Sequence, residues 1–190
     1  MANKRYANFD FEELKLPGCY IVTPKVLNDS RGSFTKIYNN EIFSLLGLDN
    51  VWQEQYITNS NKNVIRGLHF QRPPYAHEKL VSCIHGKALD VLLDLRIGSP
   101  TFGTYTTIEL SGDNRTSVYM PIGIAHGFCT PESSATLLYN VSSSYMPESD
   151  SGILWDSAGI NWVIPDPLLS ERDRSFQPLS TFDSPFEFKI

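Results

Sequence analysis

Short apolar or alternating runs recur along this chain, each stopped by turn-forming residues, which is the pattern of a β-sandwich or barrel rather than of a helical fold. Strands are predicted over residues 19–27, ended by Asn28-Asp29-Ser30-Arg31-Gly32, and then over 33–38, 51–58, 64–71 and 79–85. Gly86-Lys87 reads as a tight turn. Residues 88–95 follow, almost continuously apolar as a strand buried on both faces would be, before a break at Gly98-Ser99-Pro100. Residues 104–110 and 116–120 flank Ser111-Gly112-Asp113-Asn114, a hairpin signal, and further strands are predicted at 127–130 and 135–142. One helical stretch stands out at 40–46, with Asn39 or Asn40 as its cap and Gly47 placed to end it. After Tyr145 the chain is irregular, and Ser170-Glu171-Arg172-Asp173 can open a single helical turn. The elements together predict an all-β barrel.

At 190 residues the chain fits one domain spanning 1–190, long enough to bury its core without disulfides or a structural metal. Charged residues make up 19 % and hydrophobic residues 41 %, which excludes a disordered chain. A formal net charge of -5 argues against nucleic acid as a partner, because binding the phosphate backbone rests on clustered Lys and Arg. Any anion must be met by local cations. Cys19, Cys83 and Cys129 are odd in number and lack a Cys-x-x-Cys pair, so buried free thiols are expected rather than a disulfide framework or zinc site. No run of eighteen apolar residues occurs, which points away from a membrane and toward a cytoplasmic protein.

Two of the four histidines have distinctive neighbours. In Val64-Ile65-Arg66-Gly67-Leu68-His69-Phe70-Gln71, strand alternation puts Ile65, Gly67, His69 and Gln71 on one face, with the glycine leaving room for a ligand. Arg66 points the other way unless the strand bulges at Gly67 or a neighbouring subunit is involved. His126 lies in Pro121-Ile122-Gly123-Ile124-Ala125-His126, which has the Pro-x-Gly-x-x-His spacing of the second cupin motif. A cupin metal site also needs His-x-His and a carboxylate. Here His69-Phe70-Gln71 supplies one imidazole, and His77-Glu78 would have to complete the set across Pro73-Pro74.

Taken together, Asp29 to Phe34, Val64 to Gln71, Lys79-Leu80-Val81, Gly86 to Gly103, Pro121 to Phe128, Leu138-Tyr139 and Leu169 to Asp173 resemble the dTDP-4-dehydrorhamnose 3,5-epimerase family over most of the chain. The resemblance implies a cupin-type jelly-roll barrel with short peripheral helices, and a site without metal or cofactor. It implies His69 as base, Asp173 as its orienting partner, Lys79 as enolate stabiliser and Tyr139 as acid. Arg31 and Arg66 would meet the diphosphate, Phe34 and Gln71 would contact substrate, and His126 would line the pocket. It also implies a homodimer that exchanges N-terminal strands, and a role in deoxysugar supply for surface polysaccharide. The residue types suit the chemistry independently. A ketone at sugar C4 acidifies C3 and C5, an imidazole of ordinary pKa near 6.5 suits proton removal at neutral pH, and a cation must meet the charge developing on O4.

Three positions depart from the family pattern. The glutamate usual in Asp-x-Arg-Gly-x-Phe-x-Glu, which in the family helps hold the nucleotide, is Lys36, and the usual thymine-facing Gln and Asn before the histidine strand are Glu54 and Tyr56. A carboxylate can accept from the exocyclic amine of cytosine, which thymine lacks. A CDP-linked 4-keto-6-deoxysugar is therefore expected, with dTDP as the competitor and GDP behind both. Inversion at C3, at C5 or at both stays open. Two other functions compete: a metal-dependent cupin using His69, His77, Glu78 and His126, and a nucleotide-sugar-binding cupin without turnover.

Overall fold

The computed structural model describes residues 3–48 and 51–189. Its described residues form thirteen strands and two short α-helices, in the all-β jelly-roll arrangement expected. In chain order the strands are β1 (Asn3–Tyr6), β2 (Phe9–Glu13), β3 (Tyr20–Pro24), β4 (Val26–Asp29), β5 (Gly32–Thr35), β6 (Glu54–Ser60) and β7 (Ile65–Gln71). They continue with β8 (Lys79–Asp94), β9 (Tyr105–Ser111), β10 (Ser117–Met120), β11 (Ile124–Cys129), β12 (Ala135–Val141) and β13 (Asp150–Gly152). The helices are α1 (Asn40–Ser44) and α2 (Glu171–Arg174).

β8 organises the barrel. Its first half pairs with β10 and β12, its second half with β9 and β11, so one long strand belongs to both layers. The first layer runs β1-β2-β3-β10-β8-β12-β6, and the second contains β9, β8, β11, β7 and β13. This corrects the turn expected at Gly86-Lys87. The strand runs through Gly86, whose φ of +72° and closeness to the Ser134 carbonyl require glycine, since an added Cβ would sit 2.0 Å from that oxygen. The hairpin expected around Ser111 to Asn114 is corrected for the same reason. β9 pairs with the second half of β8 and β10 with the first, so the turn carries the chain between layers. Its local chemistry survives, because the Asn114 side chain accepts from the Ser111 and Thr116 N–H groups.

The strand expected over 19–27 divides into β3, which joins the first layer, and β4, which pairs with β5 in a separate exposed hairpin. The N-terminal hairpin of β1 and β2 was not anticipated, although Phe9-Asp10-Phe11-Glu12 carries the alternation that forms it. Phe9 and Phe11 pack edge-on against Phe43 of α1, burying all three rings. α1 starts where Asn39 accepts from the Ile42 N–H, as a cap should. Between the layers lie Leu92, Leu110, Val118, Phe128, Leu137 and their neighbours. Each such fully buried apolar side chain stabilises the fold by roughly 1.5–3 kcal/mol. The mouth left between β7, β11, β12 and the start of β8 is where the polar residues gather.

Candidate active site

Pairing between β11 and β7 slips by one residue. His126 faces His69 but Phe128 faces Arg66, so Gly67 and Leu68 together oppose Gly127. This is a β-bulge, and it answers the requirement set by alternation: Arg66 and His69 line the same cavity within one chain. Only glycine fits there, because a Cβ on Gly67, at φ +135°, would lie 2.5 Å from the Gly127 Cα. The cavity, of about 240 Å³, is also lined by Tyr56, Gln71, Lys79, His126 and Tyr139.

His69 Nε2 lies 2.7 Å from Asp173 Oδ1. A carboxylate accepts only, so Nε2 carries the proton and Nδ1 is the nitrogen left for a ligand. Asp173 is held for this role by α2, where the Ser170 hydroxyl caps the Asp173 N–H and the short helix turns the carboxylate inward. Burial pushes the His69 imidazole below its ordinary 6.5, against the pull of Asp173, so the ring is a free base at neutral pH. Burial pushes Asp173 the other way, but the hydrogen bond and charge of His69 outweigh it and keep the carboxyl below the usual range. Phe176 packs edge-on against the His69 ring at 5.8 Å and fixes its plane.

Lys79 opens β8, is buried, and donates from Nζ to the His69 carbonyl at 3.1 Å. Burial lowers its pKa to about 8, with Asp90 and Asp150 opposing. The ammonium is thus charged at neutral pH in a site poor in water. Tyr139 comes from β12, in the other layer from His69, and burial pushes its phenol well above the ordinary value, so it keeps its proton. Tyr56, directly opposite on β6, stacks on it with ring centroids 4.8 Å apart and planes 11° apart. His126 meets Tyr139 edge-on at 5.7 Å and bonds Asp90 Oδ2 through Nε2 at 2.7 Å.

Other expected contacts take different places. Gln71 lines the cavity, but its amide donates to the Tyr75 and Ser144 carbonyls and accepts from the Met146 N–H, which ties the following loops to β7. Arg66 donates to Ser60 Oγ and the Asn59 carbonyl, with its guanidinium exposed at the mouth. Glu54 does not line the cavity; its Oε1 accepts from the Tyr145 N–H at 2.9 Å. Arg31, Phe34 and Lys36 are exposed on or just after the β4–β5 hairpin, apart from the cavity, and Arg31 pairs with Asp29 at 2.6 Å.

Sequence reasoning missed Asp90 and Arg172. A lone charge inside Ala88-Leu89-Asp90-Val91-Leu92 was the available signal for the first, since unpaired carboxylates are not buried without cause. Arg172, beside Asp173, reaches within 3.4 Å of His69 Nε2 and bonds Asp150 at 2.6 Å. Its position next to the expected carboxylate was the only clue. Among the described residues no three His, Cys, Asp or Glu side chains gather as a metal-ligand set. His69 and His126 each turn Nε2 to a different carboxylate, and although His77 lines the same cavity, these histidines and Glu78 form no such set among the described residues.

The family model for dTDP-4-dehydrorhamnose 3,5-epimerase matches residues 13–181. The enzyme of that name from Shigella flexneri is 38 % identical over 162 residues, covering 84 % of this chain and 90 % of its own. That from Methanothermobacter thermautotrophicus is 39 % identical over 178 residues, covering 91 % and 96 %. A crystal structure of dTDP-6-deoxy-D-glucose-3,5-epimerase from Legionella pneumophila, in complex with dTDP-4-keto-L-rhamnose, superposes with a TM-score of 0.90 at 30 % identity, covering 96 % of this chain and all of that one.

Proposed function

This chain belongs to the dTDP-4-dehydrorhamnose 3,5-epimerase family, and from that premise we propose that its cavity inverts C3, C5 or both in a nucleotide-linked 4-keto-6-deoxyhexose with its own side chains alone. It is an isomerase of the epimerase type, and its ligand is a nucleotide sugar. The observation that carries the residue assignment is the convergence, on one cavity, of a carboxylate-backed imidazole, a buried ammonium and a protonated phenol.

His69 Nδ1 takes the proton next to the C4 ketone, and the electron pair of the broken C–H bond moves into the enolate. Asp173 holds Nε2–H and steadies the imidazolium that results. Lys79 meets the negative charge on O4, a role in which loss of one donor typically costs about 3–4 kcal/mol. Tyr139, reaching in from the other layer, returns a proton to the opposite face of the planar carbon, which inverts it. The phenolate then regains a proton from solvent as the imidazolium releases one.

The nucleotide reading rests on fewer contacts. Glu54 has one carboxylate oxygen engaged by Tyr145, which weakens it as the acceptor for a cytosine amine, and the Legionella relative carries a dTDP sugar. We therefore favour a dTDP-linked substrate over the CDP-linked one suggested by Lys36 and Glu54. Arg66 at the mouth supports diphosphate binding. The exposed β4–β5 hairpin, with Phe34 61 % and Leu27 47 % exposed, supports a homodimer in which a second copy presents Arg31, Phe34 and Lys36 to this cavity. Three free thiols fit a reducing cytoplasm, and a role in deoxysugar supply for surface polysaccharide follows from the substrate class.

Proton NMR in deuterated buffer with dTDP- and CDP-linked 4-keto-6-deoxyglucose tests the reading. Deuterium should enter at C3, C5 or both, faster for dTDP. No exchange with either nucleotide would remove the epimerase reading, and faster exchange with CDP would restore the cytosine assignment.

A further inference from the structure

Tyr139 is the proton donor of the reading above, and a donor to a planar carbon must be held at a fixed height and angle. Its own strand does not supply that. β12 fixes the Tyr139 Cα between β8 and β6, where Tyr139 is paired with Val81 on one side and Tyr56 on the other. The ring itself is held by its neighbours. Tyr56 lies flat on one face at 4.8 Å with an 11° tilt, and His126 closes from the side at 5.7 Å and 69°. Directly opposed residues of an antiparallel pair share a face of the sheet with Cβ atoms about 4.5–5.5 Å apart, so the register itself sets up this stack. Among the described residues β6 pairs only with β12, so Tyr56 sits on an edge strand and is 40 % exposed.

We propose that Tyr56 is a positioning residue for Tyr139, a stacked ring that holds the phenol at the angle needed to protonate the enolate on the face away from His69. The inference rests on Tyr139 being the donor. It also differs from a nucleobase contact, the role that the family pattern suggested for Tyr56, because it uses the ring face turned to Tyr139. The stacking surface is the aromatic ring, so the Tyr56 hydroxyl is dispensable.

Once the enolate forms, two outcomes compete. A proton returned by His69, whose side chain is 25 % exposed and exchanges with solvent, gives back the starting sugar carrying deuterium. A proton from Tyr139 gives the inverted sugar. The ratio of inversion to exchange with retention therefore reads the placement of Tyr139 and does not depend on how tightly substrate binds.

The test measures that ratio by NMR in deuterated buffer for the wild type, Tyr56→Leu, Tyr56→Ala and Tyr56→Phe, using the dTDP- and CDP-linked 4-keto-6-deoxy sugars. Folding of each variant is checked by circular dichroism. Tyr56→Leu, which keeps apolar bulk, and Tyr56→Ala should retain exchange while the ratio falls about ten- to a hundredfold, the scale of a misplaced catalytic group. Tyr56→Phe should restore the wild-type ratio. A ratio unchanged in folded Tyr56→Leu, or exchange and inversion falling together, would overturn the proposal, as would failure of Tyr56→Phe to restore it. A wild type that neither exchanges nor inverts would overturn the epimerase reading and this inference with it.

Discussion

Two histidine–carboxylate pairs sit side by side in this molecule, and they do different things. His69 and His126 are register partners on β7 and β11, and each bonds a carboxylate through Nε2 at 2.7 Å. The pairs differ in burial and in what holds the acid. His69 keeps a quarter of its side chain accessible and faces the cavity, while His126 and Asp90 are almost wholly enclosed. Asp173 arrives on a capped turn of helix more than a hundred residues along the chain, and its carboxyl is kept ionised by His69. Asp90 is part of the long strand β8, and burial pushes its carboxyl up, against the pull of His126 and Lys79. The same distance therefore serves an accessible imidazole in one place, the base of the proposed mechanism. In the other it backs an enclosed imidazole that packs against Tyr139.

The sharpest way to break this comparison is at the accessible pair. His69→Ala should lower kcat/KM by about a hundred- to ten-thousand-fold with little change in melting temperature. Asp173→Asn should approach the same loss, because an amide nitrogen facing Nε2 leaves the proton on Nδ1, the nitrogen that must be free. Steady-state kinetics beside a thermal melt reads both, and a mild effect of Asp173→Asn would reduce Asp173 to a structural role. At the buried pair the weights should reverse. Asp90→Ala leaves the enclosed His126 nitrogen without its partner and should cost about 1–3 kcal/mol of stability, seen as a lower urea midpoint, with a smaller loss of activity than at Asp173.

The smallest effect is in the pH profile. The proposed mechanism needs neutral His69 and charged Lys79, so kcat/KM should fall on the acid side below the ordinary imidazole 6.5 and on the alkaline side above about 8. Asp90 raises the Lys79 pKa, so Asp90→Ala should move the alkaline limb to lower pH. An alkaline limb that stays in place would separate Lys79 from Asp90.

Much of this was written locally. The bulge at Gly67 was one of two ways, with a neighbouring subunit the other, to bring Arg66 and His69 to one cavity from a strand whose alternation separates them. The Ser170 cap was legible because capping involves neighbours only, and the base, its carboxylate, the lysine and the tyrosine stood out through the resemblance. What could not be read were matters of pairing between distant segments. Gly86-Lys87 has the chemistry of a turn, yet β8 runs through it because β12 and β11 pair with its two halves. Ser111 to Asn114 has the chemistry of a hairpin, yet its two strands go to different layers.

The sequence by itself determined the fold class, since alternation, turns and caps depend on residues and their near neighbours, and through the family resemblance it singled out the candidate reacting groups. Only the tertiary structure decided which histidine is accessible, that Asp90 backs the other one, that Tyr56 lies on Tyr139, and that Arg31, Phe34 and Lys36 stand away from their own cavity. Those outcomes depend on strand register and burial, which are set when segments far apart in the chain compete to enclose the same core.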